Sequence, residues 1–360
     1  MEKHAKKNRG GKKQRVTLKD ISRASGVALS TVSNALAGKP NVREDTRQLV
    51  LRAAKEFGYR TSPVARSLRT GRTFSIGLLV SDITNTYYAE VVRGAETALR
   101  AHGYFLMVVN TDYEADIEEK YVQHFLDQQV DGIILVMHSA LSESVAQIKT
   151  AGVPLLLLNR RHAKIVDDLV GVDFRAGTQM ALQYLWNLGH REIGFLTGKS
   201  ESSVTEDRLE EVERFRRSVA PDKLRIHIAR ADYSVEAGQA FALDLLTSAP
   251  ATTAIMTSQD QSAFGCLAAL STLGLSAPQD CSILGFDDLP LSASPLIDLT
   301  TLRVERRKLG EMAASLLLSK IDASPTATTT QLLSPELIIR GTCAAPRSGI
   351  SHEEETNDHD

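Results

Sequence analysis

A scattered set of side chains in the larger part of the chain has the chemistry to hold a small polar molecule: Asp82, Asn85, Tyr87, Tyr88, Asn159, Arg160, Asp173, Arg208, Asp260 and Asp287. A hydroxyl donates to a carboxylate and accepts from a guanidinium, so carboxylates beside Arg and Asn suit vicinal hydroxyls. Tyrosine rings suit the face of a sugar or a base. Each residue also has a structural reading. Asp173 and Asp260 stand just before helical patterns, where a carboxylate caps first-turn N–H groups. A second set lies near the N-terminus, in TLKDISRASGVALSTVSNAL at 17–36. Leu29, Ser30 and Asn34 can read base edges: Asn pairs with adenine, Ser bonds either partner, and Leu packs on a thymine methyl or closes the edge of a core. Thr31, Ser33 and Arg23 suit phosphates, which fix register without reading sequence. Thr17 joins this set and also stands as an N-cap.

Two short helices around a tight turn would carry the second set. Leu18, Ile21 and Ala24 fall at helical spacing, Gly26 suits a left-handed stop, and Val27 re-enters the core. Val32, Ala35 and Leu36 then point inward, leaving Leu29, Ser30, Ser33 and Asn34 toward the other side. This is a helix-turn-helix or an ordinary αα-hairpin. A third helix over about 44–57 places Val50, Ala53, Ala54 and Phe57 on one face and ends at Gly58.

Charge favours the first alternative. Residues 1–72 hold 18 Lys and Arg against 5 Asp and Glu, or +13, although the chain as a whole is only −2. A basic head on an acidic body points to a polyanion partner. Residues 1–15 carry Lys3, Lys6, Lys7, Arg9, Lys12, Lys13 and Arg15 with almost nothing apolar, and are expected to be disordered when free. The linker that follows the three helices, about 61–73, contains VARSLR, a helix too short to stand alone in water.

From Phe74 the pattern alternates apolar strands (74–80, 104–109, 132–136, 154–158) with amphipathic helices. A second series has strands near 192–197, 224–229, 253–257 and 281–285, then a last helix at about 305–321 and a strand at about 336–340. The fold class is thus an all-α helix-turn-helix headpiece plus α/β, with a two-lobed body of parallel sheets built one after the other. The cleft set lies near the carboxyl ends of these strands, where open parallel sheets bind ligands. The body runs to about 346, and the acidic tail from 347 is expected to be disordered.

At 360 residues, 42% apolar and 24% charged, the chain suits two or three compact globular units. No apolar run could cross a bilayer, and the basic N-terminus lacks the apolar core of a secretory signal. Cys266, Cys281 and Cys343 form no C-x-x-C, so a reducing cytoplasm fits and neither a zinc site nor a disulfide framework is suggested. Gly194 to Ser200 imitates a phosphate-binding loop but has three residues between its glycines where four are needed. His190 reads as structural. No catalytic motif, metal or cofactor is called for.

Several stretches resemble the lac-repressor (LacI/GalR) family of bacterial transcription regulators: TLKDISRASGV, TVSNAL, ARSLRTGRT, SIGLLVSDITNTYYAEVVRGAETALRAHGY, GHREIGFL and GFDD. The match covers nearly the whole chain after residue 15. It implies a homodimer whose headpieces read a roughly palindromic stretch of double-stranded operator DNA. It implies a linker that forms a hinge helix in the minor groove, with Leu68 as a wedge between base pairs (or a dimer contact) flanked by Arg66 and Arg69. It also implies a small effector in the cleft that alters DNA affinity. Ala28 stands where the family usually has a capping Ser, Thr61 where the linker usually has proline, and Glu210-Glu211-Val212 where a glycine usually precedes an aromatic. The expected function is a sequence-specific regulator, a repressor in kind, controlled by a sugar-like effector. The alternatives are a free solute-binding protein, which would explain the two lobes but not the basic head, and a P-loop-like nucleotide-binding enzyme without DNA function.

Overall fold

The computed structural model describes residues 16–36, 39–59, 67, 70–137, 142–199, 202–219, 223–322 and 327–347. The basic arm, the hinge helix with Arg66, Leu68 and Arg69, and the acidic tail beyond Arg347 lie outside the described residues. The chain divides into two compact units, Met1–Thr73 and Phe74–Asp360.

The first unit holds α1 (Leu18–Ser25), α2 (Leu29–Leu36) and α3 (Glu44–Glu56). Asp20 accepts hydrogen bonds from the Thr17 N–H and hydroxyl at 2.9 and 2.7 Å, closing the start of α1. Gly26 stops the helix at φ 67°. Ile21, Val32, Ala35, Val42, Val50, Ala53 and Ala54 form the buried core. Two expected core residues fall outside it. Ala24 is exposed, because each i+3 step falls about 60° short of a full turn. Phe57 is 48% exposed because α3 ends one residue earlier; Tyr59, returning through a hydrogen bond from its N–H to the Ala54 carbonyl, packs instead.

The second unit contains two six-stranded sheets. The first is built from β1 (Ser75–Val80), β2 (Phe105–Asn110), β3 (Gly132–Leu135), β4 (Leu155–Leu158), β5 (Asp168–Val172) and β11 (Thr330–Leu333), in the order β11-β5-β4-β3-β1-β2. The second has β6 (Glu192–Gly198), β7 (Arg225–Ala231), β8 (Ala254–Thr257), β9 (Ser282–Asp287), β10 (Thr300–Arg303) and β12 (Glu336–Ile338), in the order β12-β10-β9-β8-β6-β7. All pairings are parallel except β10–β12. Helices α4 (Thr86–Ala101), α5 (Ala115–Asp127) and α6 (Glu143–Thr150) cover the first sheet; α7 (Phe174–Leu188), α8 (Ser203–Ser218), α9 (Val235–Ser248) and α10 (Asp260–Thr272) belong to the second.

The lobes are not simply consecutive, as the strand series suggested. The chain crosses between them after β5, after β10 and after β11, so that α11 (Arg306–Asp322) and β11 return to the first lobe. Helix α11 lies against α4 through two glycines: a Cβ on Gly94 would sit 2.0 Å from the Arg307 carbonyl oxygen, and one on Gly310 would sit 2.0 Å from that of Val91. The second lobe repeats the device between α9 and α10 at Gly238 and Gly265. Strands β5, β10 and β11 were absent from the expected series. They are short and carry Thr, Gly, Gln or Asp among few apolar residues, so their apolar runs are brief.

Candidate functional site

The strand ends of both lobes face one another around a small cavity of about 40 Å3. Tyr87, Tyr88, Asn159, Arg160, Arg208 and Asp287 line it, together with Tyr113, Phe174, Val204, Tyr233 and Gln259. Six of the residues singled out in the sequence therefore converge. Of the five that sequence reasoning misses, Phe174 and Val204 stand in the first turns of helices, while Tyr113, Tyr233 and Gln259 lie in loops beyond strands, and only the register of parallel strands brings those loops together.

Three lining residues have unusual backbone, Tyr113 at φ 60° among them. Asn159 adopts φ 63° and Asp287 φ 114°, the left-handed region that costs a non-glycine residue free energy unless its surroundings hold it there. What holds Asp287 is the next residue. The Asp288 carboxylate is gripped by Arg303 at 2.7 Å and Arg340 at 2.6 Å, and Arg306 donates to its backbone carbonyl at 3.0 Å. Burial, reinforced by nearby Asp260 and opposed by Arg306 and Arg208, pushes the Asp287 carboxyl well above its ordinary range.

Arg208 reaches the cavity from α8. Its guanidinium lies against the neighbouring Phe174 and Phe286 rings, 4.5 and 4.8 Å from their centroids, and donates to the Ser258 carbonyl at 3.2 Å. Burial lowers its pKa. Glu210, two residues on, turns outward to pair with Arg175. Arg160 donates to the Met137 carbonyl at 2.5 Å. Asn159 donates from Nδ2 to the Tyr87 hydroxyl at 2.9 Å. Three buried polar atoms on this lining have no protein partner: Asn159 Oδ1, Arg208 Nε and Asp287 Oδ2. Burying such atoms unpaired is costly, and these three are gathered on one cavity.

Four other expected cleft residues sit elsewhere. Asn85 is buried as the N-cap of α4, accepting from Tyr87 N–H at 2.9 Å and bridging the lobes through Nδ2 to Gln259 Oε1 at 3.0 Å. Asp82 lies at the outer mouth with Asp112, Glu114 and Asp232. Asp173 does not line the cavity; it caps α7 by accepting from Ala176 N–H at 2.9 Å, and its own N–H bonds the Leu333 carbonyl where the chain changes lobe. Asp260 corrects both of its readings. It is the first residue of α10 rather than the N-cap, which is Gln259, and it is wholly buried away from the cavity. Its carboxylate accepts from Leu289 N–H at 2.7 Å, Thr301 Oγ1 at 2.6 Å and Ser292 Oγ at 2.5 Å, so it anchors the loop after β9. His190 is structural: Nδ1 meets Thr253 Oγ1 and Nε2 the Ala344 carbonyl.

In the first unit, Leu29 is 43% exposed, so it is not the edge of the core. Ser30 is exposed, and Thr31, Ser33 and Asn34 are half-buried. Val32 and Ala35 hold the opposite face of α2 to the core. The helix starts after Ala28, whose carbonyl accepts from Val32 N–H at 2.9 Å, and that residue has no side-chain oxygen to cap it. Thr17 is exposed, with its hydroxyl given to Asp20.

Residues 17–62 match the family described as bacterial regulatory proteins, lacI family, and residues 182–343 match a periplasmic binding protein-like domain. The chain is 31% identical to catabolite control protein A of Priestia megaterium over 84% of its own length and 91% of that protein. It is 30% identical to the ribose operon repressor of Haemophilus influenzae, over 90% of its length and 97% of that protein. The chain belongs to the lacI family. It is a DNA-binding transcriptional repressor of that family, not an enzyme. Among solved structures, the lac repressor dimer bound to operator and the anti-inducer ONPF superimposes with a TM-score of 0.83 at 25% identity, over 92% of this chain and all of that one. The lacI-family repressor described here thus combines a helix-turn-helix unit with a two-lobed body, and no described helix is long and apolar enough to cross a membrane.

Proposed function

We propose that operator affinity in this repressor is controlled by a small polyhydroxylated effector, a sugar or sugar derivative, held between the two lobes. The observation that carries this is the convergence of Asn159 Oδ1, Arg208 Nε and Asp287 Oδ2, three unpartnered buried atoms, on one cavity. Asn159 Oδ1 asks for a donor and Arg208 Nε for an acceptor, while a carboxyl such as Asp287 that tends to keep its proton can give or take a hydrogen bond; adjacent hydroxyls suit all three. The aromatic walls from Tyr87, Tyr88, Tyr113, Tyr233 and Phe174 suit the apolar face of such a ring. A ligand touching both lobes shifts their equilibrium only by its difference in affinity between the two arrangements.

Exposed Leu29 and Ser30, with Asn34 along the same helix, support α2 as the element that reads operator bases in the major groove. Thr17, Thr31 and Ser33 serve as phosphate contacts in this reading. A second copy of the chain completes it. Val235, Phe264, Pro290 and Leu291 form an apolar groove with Thr86 and Ala89 that draws on both lobes and suits a like surface.

The test is operator binding by fluorescence anisotropy, with a thermal-shift screen of sugars on the full chain. Asp287→Ala should abolish ligand-induced changes in melting temperature and DNA affinity while leaving ligand-free operator binding intact. Asn34→Ala should relax preference at one operator position, at roughly 1–3 kcal/mol. Uniform weakening on all DNA would remove Asn34 from base reading. An effector response that survives Asp287→Ala would remove that carboxylate from the site.

A further inference from the structure

The inner cavity is not the whole of the cleft. Tyr113 and Tyr233 also line a wider outer compartment of about 480 Å3, whose charged residues are Asp82, Asp112 and Glu114 from the first lobe and Lys199 and Asp232 from the second. Lys199 is already committed to Asp232 at 2.7 Å. Among the described residues, the Asp112 carboxylate accepts only from neutral Asn110, and that of Asp82 only from the Thr84 N–H and hydroxyl. Among the described residues no cation lies within ion-pair distance of Asp82, Asp112 or Glu114. The compartment that shares Tyr113 and Tyr233 with the cavity therefore carries uncompensated negative charge.

The deep end makes the same selection by a different route. Asn159 Oδ1 accepts hydrogen bonds and is unpaired, as is Oδ2 of the Asp287 carboxyl. A phosphate offers no proton to the Asn159 oxygen at neutral pH, whereas a hydroxyl offers one. Two arginines on the lining could attract an anion, yet Arg160 donates to the Met137 carbonyl, while Arg208 packs against the Phe174 and Phe286 rings and gives one NH2 group to the Ser258 carbonyl, with Nε unpartnered.

We propose that the site selects by charge: it admits an uncharged polyol and rejects the phosphorylated form of the same molecule. The inference rests on the effector reading of the cleft and goes beyond it by naming the class that is excluded. A cell containing both forms would then regulate this repressor by the free molecule and silence that signal by phosphorylating it.

Isothermal titration of the full-length protein with matched pairs tests the proposal: ribose and ribose 5-phosphate, glucose and glucose 6-phosphate, cytidine and cytidine 5′-monophosphate. The neutral member of a binding pair should bind, and its phosphorylated partner should bind weaker by about tenfold or more at 0.1 M salt. The double variant Asp112→Asn, Glu114→Gln replaces two exposed carboxylates with near-isosteres. It should narrow that gap severalfold and leave the neutral affinity unchanged, a pattern that a merely structural defect would not produce. Equal or tighter binding of a phosphorylated member to the native protein overturns charge selection and leaves the effector reading standing. So does a gap that the double variant leaves unaltered. Silence of every pair, with operator affinity unchanged, overturns both.

Discussion

Asp260 and Asp287 are neighbours in charge but not in role. Asp287 meets the cavity. Asp260, behind it, ties α10 to Leu289, Ser292 and Thr301 and so positions the loop that carries Asp287. Desolvation outweighs these three hydrogen bonds and pushes the Asp260 carboxyl up to about 6 from an ordinary 3.8. The folded chain thus holds a proton that the unfolded chain releases. Stability from this group is full below about pH 4 and is lost as pH rises through about 6, by an amount on the order of 3 kcal/mol. Burial of Asp287 acts in the same direction. Urea unfolding of native protein and Asp260→Asn should show the variant losing part of the fall in midpoint between pH 4 and 6.5; parallel curves would assign that fall to other groups. Residue types in the sequence brought Asp287, Arg208 and Asn159 into view. Asp260 was misplaced because a carboxylate at a helix start looks the same whether it caps that helix or bonds across to a loop nearly thirty residues away.

At the scale of elements, the helix pairs that flank each sheet depend on absent side chains. Where α4 crosses α11, the backbone of each occupies the space of a Cβ on the other, at Gly94 and Gly310. Gly310→Ala should force the pair apart and destabilise the first lobe by about 1–3 kcal/mol. A lowered urea midpoint with unchanged slope would register it, and an unchanged midpoint would mean that the crossing relaxes freely. Helix periodicity made α4 and α11 visible in the sequence, but not their contact. They lie some two hundred residues apart, and α11 follows the strands of the other lobe. The strand patterns told two lobes from one. They did not reveal the three crossings, since β5, β10 and β11 carry too few apolar residues to register as strands. The headpiece was the most legible part, because its helices are local and Thr17, Gly26 and Gly58 mark ends of α1 and α3.

For the whole body, the relation between its lobes decides how an effector acts. The inner cavity, at about 40 Å3, has room for a few waters, so the proposed sugar-sized effector would need a wider arrangement. Three chain crossings, at Asp173, at 304–305 and at 334–335, give a hinge confined to a few residues, as domain closure requires. Opposing that opening is a clamp on the rim. Arg161, just past β4 of the first lobe, makes a two-pronged ion pair with Asp207 of α8 at 2.6 and 2.9 Å, and its N–H donates to Ser203 Oγ at 2.8 Å. Asn85 and Gln259 add a neutral link. The paired Arg geometry fixes orientation as well as distance, so it favours one closed arrangement over a range of partly open ones. Arg161→Ala removes a half-exposed side chain and leaves its backbone bond in place, so folding should survive. Small-angle scattering of the ligand-free variant should then show a larger radius of gyration than the native protein, and a binding sugar should associate faster. The same substitution must change operator affinity if lobe closure is the element that effector and DNA both bias, because coupling between sites is reciprocal. Altered scattering with unaltered operator affinity would show that the lobes move without the headpieces following, and would place control in some other contact between copies of the chain.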